Sequence, residues 1–341
     1  MPVRGHLCHK AAPAVMLPHD VRVQLHRARC GIERGLRRTL FGSTPSWRRQ
    51  PDVLPWFDRP DALDRLLQDG RQAEHASKLL EKWIRDGYVV VEDCLDPADI
   101  DAMVATLDGL WDCPDPIPDL TLLDLREEAA GERTNLLHRD LLKLDRATRQ
   151  RIRDASDWRI HGFHYVNQRA KRIYFNRRLR DVASRIFRRR AKPIAAINFM
   201  TGSEQALHQD MAVFHIYPRN YLIGAWIACE DVAEGSGPLV FYPGSHRTPF
   251  FPAFSDYPQT NLRTADGETS RRYQEYVDSL AAQFERREFS GRKGQILLWH
   301  GMLIHGGAAI TKRGRSRKSM VVHYSVRGAD RAREVHGPFN W

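Results

Sequence analysis

The chain has 341 residues, 42% of them hydrophobic and 28% charged, which is a globular composition with room for one large domain or two ordinary ones. Its formal net charge of +11 is unevenly placed: residues 1–50 hold ten Lys or Arg against Asp20 and Glu33, so the rest carries only +3. That is a basic arm rather than a basic domain, and the five scattered cysteines, lacking CxxC spacing, argue against a disulfide framework or a cysteine zinc site.

The arm, residues 1–58, contains "DVRVQLHRARCGIERGLRRTLFG" at 20–42, which predicts a basic amphipathic helix suited to solvent or to an anionic surface. No signal-peptide run and no membrane-length apolar stretch is present, so a cytoplasmic location is expected. Met16 is an alternative start. Next, "HASKLLEKWIRDG" predicts a helix closed by Gly87, and "YVVVEDCL" a strand. In "DPADIDAMVATLDGLW", Asp96 suits the N-cap and Pro97 the first helical position, ahead of an apolar stripe of Ile100, Met103, Val104 and Leu107. Residues 113–165 read as loops and short helices. "RRLRDVASRIFRRR" places Leu179, Val182, Ala183, Ile186 and Phe187 at helical spacing, with its arginines on a solvated face.

After Lys192 the pattern changes. "PIAAINFM", "QALHQDMAVFHIY", "LIGAWIACEDV", "PLVFYPGSH", "QILLWHGMLIHGG" and "KSMVVHYSV" are short strand-like runs separated by Gly, Pro and Ser turns. They predict a mainly β protein with flanking helices (α+β), built on an antiparallel sandwich or barrel. One domain is expected over 59–330, with a helical or mixed part at 59–192 and the β core at 193–326. A polar insert at 250–290, containing the helix "RRYQEYVDSLAAQFERR", has the length of a lid or binding loop. Residues 327–341 form a tail.

Two His-x-Asp triplets occur. His138-Arg139-Asp140 lies in a helix or loop pattern, where residues i and i+2 stand about 200° apart and cannot easily grip one ion. Its side chains are expected to face solvent. His208-Gln209-Asp210 lies in a strand pattern, where i and i+2 share a face about 6.5–7 Å apart. An imidazole and a carboxylate can then converge on a metal. The third ligand must come from another strand, and His215, His246, His300, His305 and His323 are available. The "LIHGG" context favours His305, since its glycines allow close backbone approach. Two histidines and one carboxylate leave coordination positions open, as in non-haem Fe(II) oxygenases. Zinc would accept the same ligands.

The run from about 75 to 325 resembles the phytanoyl-CoA dioxygenase family of Fe(II)- and 2-oxoglutarate-dependent oxygenases. The resemblance rests on "RDGYVVVEDCLDPADIDAM", "ALHQD", "GAWIACEDVAEGSGPLVFYPGSHR", "GQILLWHGMLIHGG" and "RKSMVVHY". It implies a double-stranded β-helix (jelly-roll, cupin-like) core with N-terminal helices packed on it. It implies His208, Asp210 and His305 as iron ligands, Arg317 as the 2-oxoglutarate arginine, and Trp226 as a wall of the cosubstrate pocket. Dioxygen would be the second cosubstrate. Gly307 departs from the family's frequent small hydroxyl residue, and one extra residue before Arg317 makes Arg315 a possible substitute. The resemblance also implies that a carboxylate at Asp210 favours hydroxylation over halogenation, with desaturation or ring formation as alternative outcomes of the same oxidant.

The leading expectation is a hydroxylase of a small-molecule or lipid-like substrate that releases succinate and carbon dioxide. A non-catalytic jelly-roll binding protein is a second class. A nucleic-acid demethylase is a third, suggested by charge alone, and no nucleic-acid motif supports it.

Overall fold

The computed structural model describes residues 54–326, except 69–73, 129–130, 259 and 313. The expected helix at 20–42, nearly all of the basic arm and the 327–341 tail lie outside the described residues.

Helices lead the described chain: α1 (Ala62–Gln68) and α2 (Glu74–Asp86). Gly87, at φ +77°, ends α2 in the left-handed region, where a glycine carries no steric cost. The chain then enters β1 (Tyr88–Val91). In α3 (Pro97–Gly109) the Asp96 carboxylate accepts from Ala98 N at 2.9 Å, as the N-cap reading requires. Ile100, Met103 and Leu107 are buried, and Val104 is half-buried at the edge of the stripe.

The 113–165 region holds more sheet than its sequence suggests. It contains β2 (Thr121–Leu125), β3 (Thr134–Leu137), the short α4 (His138–Leu141), α5 (Arg146–Ala155) and β4 (Arg159–His161). The β2–β3 hairpin is hidden because "TLLDL" is leucine-rich and a register shift between Leu122 and Leu125 breaks its alternation. Two helices follow, α6 (Gln168–Tyr174) and α7 (Arg177–Phe187). The apolar stripe of α7 buries Leu179, Ala183, Ile186 and Phe187, which leaves arginines such as Arg177 outward.

The remaining strands are β5 (Ala191–Phe199), β6 (Ile223–Ala228), β7 (Leu239–Phe241), β8 (Arg287–Phe289), β9 (Ile296–His300), β10 (His305–Gly307) and β11 (Ser319–Val326), with α8 (Gly267–Ala281) between β7 and β8. They form an eight-stranded sheet, ordered β1-β9-β6-β11-β5-β4-β2-β3, and a three-stranded sheet, ordered β10-β7-β8. Four strands of the large sheet come from before residue 193, so the β core is not confined to 193–326.

Alternation along the central strands sends side chains to two different cores. Met320, Val322 and Tyr324 of β11, Ala225 and Ile227 of β6, and Ile296 and Leu298 of β9 pack among the helices. Val321, Trp226, Leu297 and Trp299 point the other way and meet Leu239, Phe241 and Phe289 of the small sheet. Function-bearing residues on these strands must have the second parity to reach the space between the sheets. The 250–290 insert is packed rather than detached: Tyr273, Val277 and Ala281 of α8 join Phe251, Phe254, Val240 and Ile304 in a third apolar cluster.

Candidate metal centre

The "HQD" stretch is not a plain strand. His208 pairs with His305 of β10 through backbone bonds of 2.9 Å (His208 N to His305 O) and 3.0 Å (His305 N to His208 O). Gln209 stays extended, and Asp210 then opens a 3-10 turn, Asp210–Ala212. Direct antiparallel opposition puts the two imidazoles on one side of the pair, with ring centroids 4.4 Å apart. Asp210 Oδ1 lies 3.8 Å from His208 Nε2 and 3.8 Å from His305 Nε2. The three ligand-type atoms all fall within 4.8 Å of one another.

The tautomers suit a cation. His208 Nδ1 lies 2.9 Å from the Ala206 carbonyl and His305 Nδ1 lies 3.0 Å from the Leu303 carbonyl. A carbonyl only accepts, so each Nδ1 carries the proton and each Nε2 presents a lone pair to the centre. Burial, with His208 alongside, pushes His305 down to about 4, which keeps its imidazole neutral. Burial alone would raise Asp210, but His323 and His305 outweigh it and hold the carboxyl below the usual range, ionised. An anionic oxygen and two imidazole nitrogens, with Asp210 and His305 buried and His208 half-buried, fit a divalent metal.

Gln209 explains why a polar triplet is tolerated here. Its side chain faces away from the triangle, where Nε2 donates to Met302 O at 3.0 Å, and its backbone N donates to Tyr273 Oη of α8 at 2.9 Å. Of the five histidines offered as a third ligand, only His305 reaches the triangle among the described residues. His300 turns to Asp58 Oδ1 at 3.2 Å, and His246 packs toward the Ile84 carbonyl at 3.3 Å. His323 instead contacts the second oxygen of Asp210, at 3.1 Å.

The other triplet divides. Arg139 is exposed and Asp140 pairs with Lys143 at 2.7 Å near the surface, as expected. His138 corrects the surface reading: it is fully buried, with Nε2 2.7 Å from Leu110 O and Nδ1 accepting from Ile117 N at 2.9 Å. It closes the C-terminal end of α3, where a free carbonyl needs a donor.

Arg317 precedes β11 and is buried, at 1% exposure. Its Nη2 donates to Ser203 Oγ at 2.9 Å, and its guanidinium lies 5.7 Å from the Trp226 ring centroid. Its Nε is buried with no hydrogen-bond acceptor, and none of the ion pairs among the described residues includes it. Burial pushes it down to about 10, so it remains a cation at neutral pH. Arg315 is exposed. The triangle, Arg317, Ser203 and Trp226 all line one cavity of about 690 Å³.

Comparison with known proteins agrees with this arrangement. The family model described as phytanoyl-CoA dioxygenase (PhyH) matches residues 83–319. The chain belongs to the phytanoyl-CoA dioxygenase family. A peroxisomal phytanoyl-CoA dioxygenase of Rattus norvegicus is 32% identical over 144 residues, covering 39% of this chain and 40% of the rat protein. The Bos taurus counterpart is 32% identical over 126 residues and is matched over 34% of its length, so the chain spans well under half of either mammalian relative. A phytanoyl-CoA dioxygenase domain-containing protein 1 homolog of Caenorhabditis elegans is 23% identical over 272 residues, covering 73% of this chain and 90% of the worm protein. Among solved structures, EctD from S. alaskensis with bound Fe superposes with a TM-score of 0.52 at 18% identity, over 76% of this chain and 78% of EctD. The epimerase SnoN, in complex with Fe3+, alpha ketoglutarate and nogalamycin RO, gives 0.51 at 18% identity, over 74% of this chain and 84% of SnoN. These likenesses show the fold, a double-stranded β-helix with flanking helices.

Within this phytanoyl-CoA dioxygenase family member, Trp299 and Ser203 have no place in the sequence reading, and His323, a candidate third ligand there, instead supports Asp210. Trp299 donates Nε1–H to Asp210 Oδ2 at 2.7 Å, His323 meets the same oxygen, and Ser203 meets Arg317. The first two share the inward parity of Leu297 and Val321, a signal that becomes usable once strand register is known. Ser203 sits in a loop and carries no such signal.

Proposed function

We infer that the protein is an Fe(II)- and 2-oxoglutarate-dependent dioxygenase that hydroxylates a C–H bond of a small-molecule or lipid-like substrate, releasing succinate and carbon dioxide. One observation carries the reading: a buried guanidinium without an acidic partner among the described residues shares a cavity with a His-Asp-His triangle. A buried cation is costly unless something compensates it. A dicarboxylate bound in this cavity would supply the missing charge.

In this reading His208, Asp210 and His305 would hold iron, the histidines with Nε2 and the aspartate with Oδ1 turned to the centre. When bound, iron with 2-oxoglutarate and dioxygen supplies the oxidising chemistry that the side chains themselves lack. The chain's own work is positional. Trp299 and His323 fix the second oxygen of Asp210, so that Oδ1 stays turned to the metal. Arg317 offers a planar fork to the far carboxylate of 2-oxoglutarate. Trp226, Phe199 and Val321 wall this end of the cavity with apolar surface and limit water. The 1–58 arm as partner of an anionic surface, and a cytoplasmic location, belong to the same proposal and rest on composition.

The test is anaerobic addition of 2-oxoglutarate to the Fe(II)-loaded chain, followed by oxygen and a substrate panel scored by succinate. A visible charge-transfer band and then succinate are expected. A chain that binds iron yet gives neither band nor succinate would be a binding protein, and the enzymatic reading would fall.

A further inference from the structure

We propose that Ser203 is a second cosubstrate-binding residue, whose hydroxyl donates to the far carboxylate of 2-oxoglutarate beside Arg317. The inference rests on the cosubstrate reading above and deepens it. Ser203 Oγ accepts from Arg317 Nη2 at 2.9 Å, so its lone pair is engaged and its own proton is directed elsewhere. No acceptor among the described residues takes that proton. Ser203 is 9% exposed and lines the same cavity as the metal triangle. Two buried donors, the Ser203 O–H and the remaining Arg317 N–H groups, thus converge without an acceptor. A carboxylate has about four lone-pair sites, and a single guanidinium fork fills two of them.

The position of Ser203 is built into the loop. Arg317 N donates to Thr201 O at 3.0 Å, Gly307 N to Gln205 O at 3.0 Å, and Ile310 N to Glu204 Oε1 at 3.0 Å. The segment is therefore tied on both flanks to the chain that carries His305 and Arg317. Gly307 completes the fit: a Cβ there would stand 2.8 Å from Ser203 Oγ and 3.1 Å from Glu204 N. Residue 307 lacks a side chain where the Ser203 hydroxyl occupies the space. The hydroxyl that fills this space comes from a loop about one hundred residues earlier in the chain.

The experiment is calorimetric titration of the full chain, loaded anaerobically with Fe(II), with two ligands. One is 2-oxoglutarate; the other is pyruvate, a 2-oxo acid without the far carboxylate. Ser203→Ala is expected to weaken 2-oxoglutarate about ten- to a hundredfold, the range for a hydrogen bond to a charged group, and to leave pyruvate unchanged. Gly307→Ala is expected to act in the same direction by displacing the hydroxyl. Equal weakening of both ligands in Ser203→Ala would mean a merely structural role and would overturn the inference. So would wild-type affinity for 2-oxoglutarate in Ser203→Ala while Arg317→Ala loses it. If Arg317→Ala binds 2-oxoglutarate as the wild type does, the cosubstrate reading itself fails and takes this inference with it.

Discussion

The Trp299 indole donates to Asp210 Oδ2 across 2.7 Å, joining the last inward position of β9 to the turn that holds the carboxylate. The contact is buried on both sides, and His323 Nε2 reaches the same oxygen at 3.1 Å. Two donors on one oxygen fix the plane of the carboxylate and leave Oδ1 for the histidine pair. Trp299→Phe keeps most of the ring volume and removes the donor. It is expected to weaken iron about 10- to 100-fold, the usual cost of losing an outer partner of a metal ligand. Competition with a metal indicator measures this, and unchanged affinity would mean that His323 alone orients Asp210.

The two His-x-Asp triplets make opposite predictions. His208→Ala, Asp210→Ala and His305→Ala should each remove iron while the apo fold persists. His138→Ala should keep iron but lose stability, because it orphans the Leu110 carbonyl and the Ile117 amide. Each unsatisfied buried group costs about 1–3 kcal/mol. Metal content and denaturant unfolding of the four variants separate the cases, and iron loss in His138→Ala would place a second metal site where none is expected.

Removing iron should lower thermal stability by mass action, since the triangle exists only in the folded chain. At a free Fe(II) concentration a hundred times the dissociation constant the gain is about 2.7 kcal/mol. Unfolding scans with and without a chelator check this. A melting temperature indifferent to Fe(II) would deny a specific site.

Much of the site was legible because its chemistry and its spacing coincide. His208 and Asp210 stand out as polar residues in an apolar run, and "LIHGG" marks His305. Their convergence does not use the unbroken strand that the alternation predicts: the structure uses a bridge to His305 and then a turn at Asp210. His138 shows the complementary failure. Local pattern says nothing of a distant carbonyl that needs a donor, so a buried cap reads like surface. The β2–β3 hairpin was hidden by leucine-rich composition, and Ser203 by lying in a loop whose placement depends on contacts with β10 and β11 far along the chain.

Gly87 tests the joint between α2 and β1. Its φ is +77°, and a Cβ there would stand 2.4 Å from His246 Nδ1. Gly87→Ala combines left-handed strain with overpacking against a buried ring, for about 2–4 kcal/mol of lost stability. Chemical denaturation reads the loss directly. A neutral result would mean that His246 moves aside freely, although it packs 5.3 Å from His300 in the core.

Arg317 gives the sharpest test because function and stability should move in opposite directions. Its guanidinium is buried and has no acidic partner among the described residues, so the apo protein bears a desolvation cost that bound 2-oxoglutarate would offset. Arg317→Met keeps much of the apolar stem and removes the charge. The apo protein should therefore become as stable or more stable, while 2-oxoglutarate affinity falls. Losing one partner of a buried charge pair costs about 2–5 kcal/mol, or roughly thirty-fold to several-thousand-fold in affinity. Iron affinity should barely change, since Arg317 is not among the three triangle residues. Arg317→Lys should recover part of the loss, because a point charge cannot reproduce the fork. Arg315→Ala, at an exposed position, is the control and should be near neutral in both measurements. Cosubstrate titrations and melting curves on the same four proteins decide it. A destabilised Arg317→Met that still binds 2-oxoglutarate would make the arginine a structural strut and move the anion site elsewhere in the cavity.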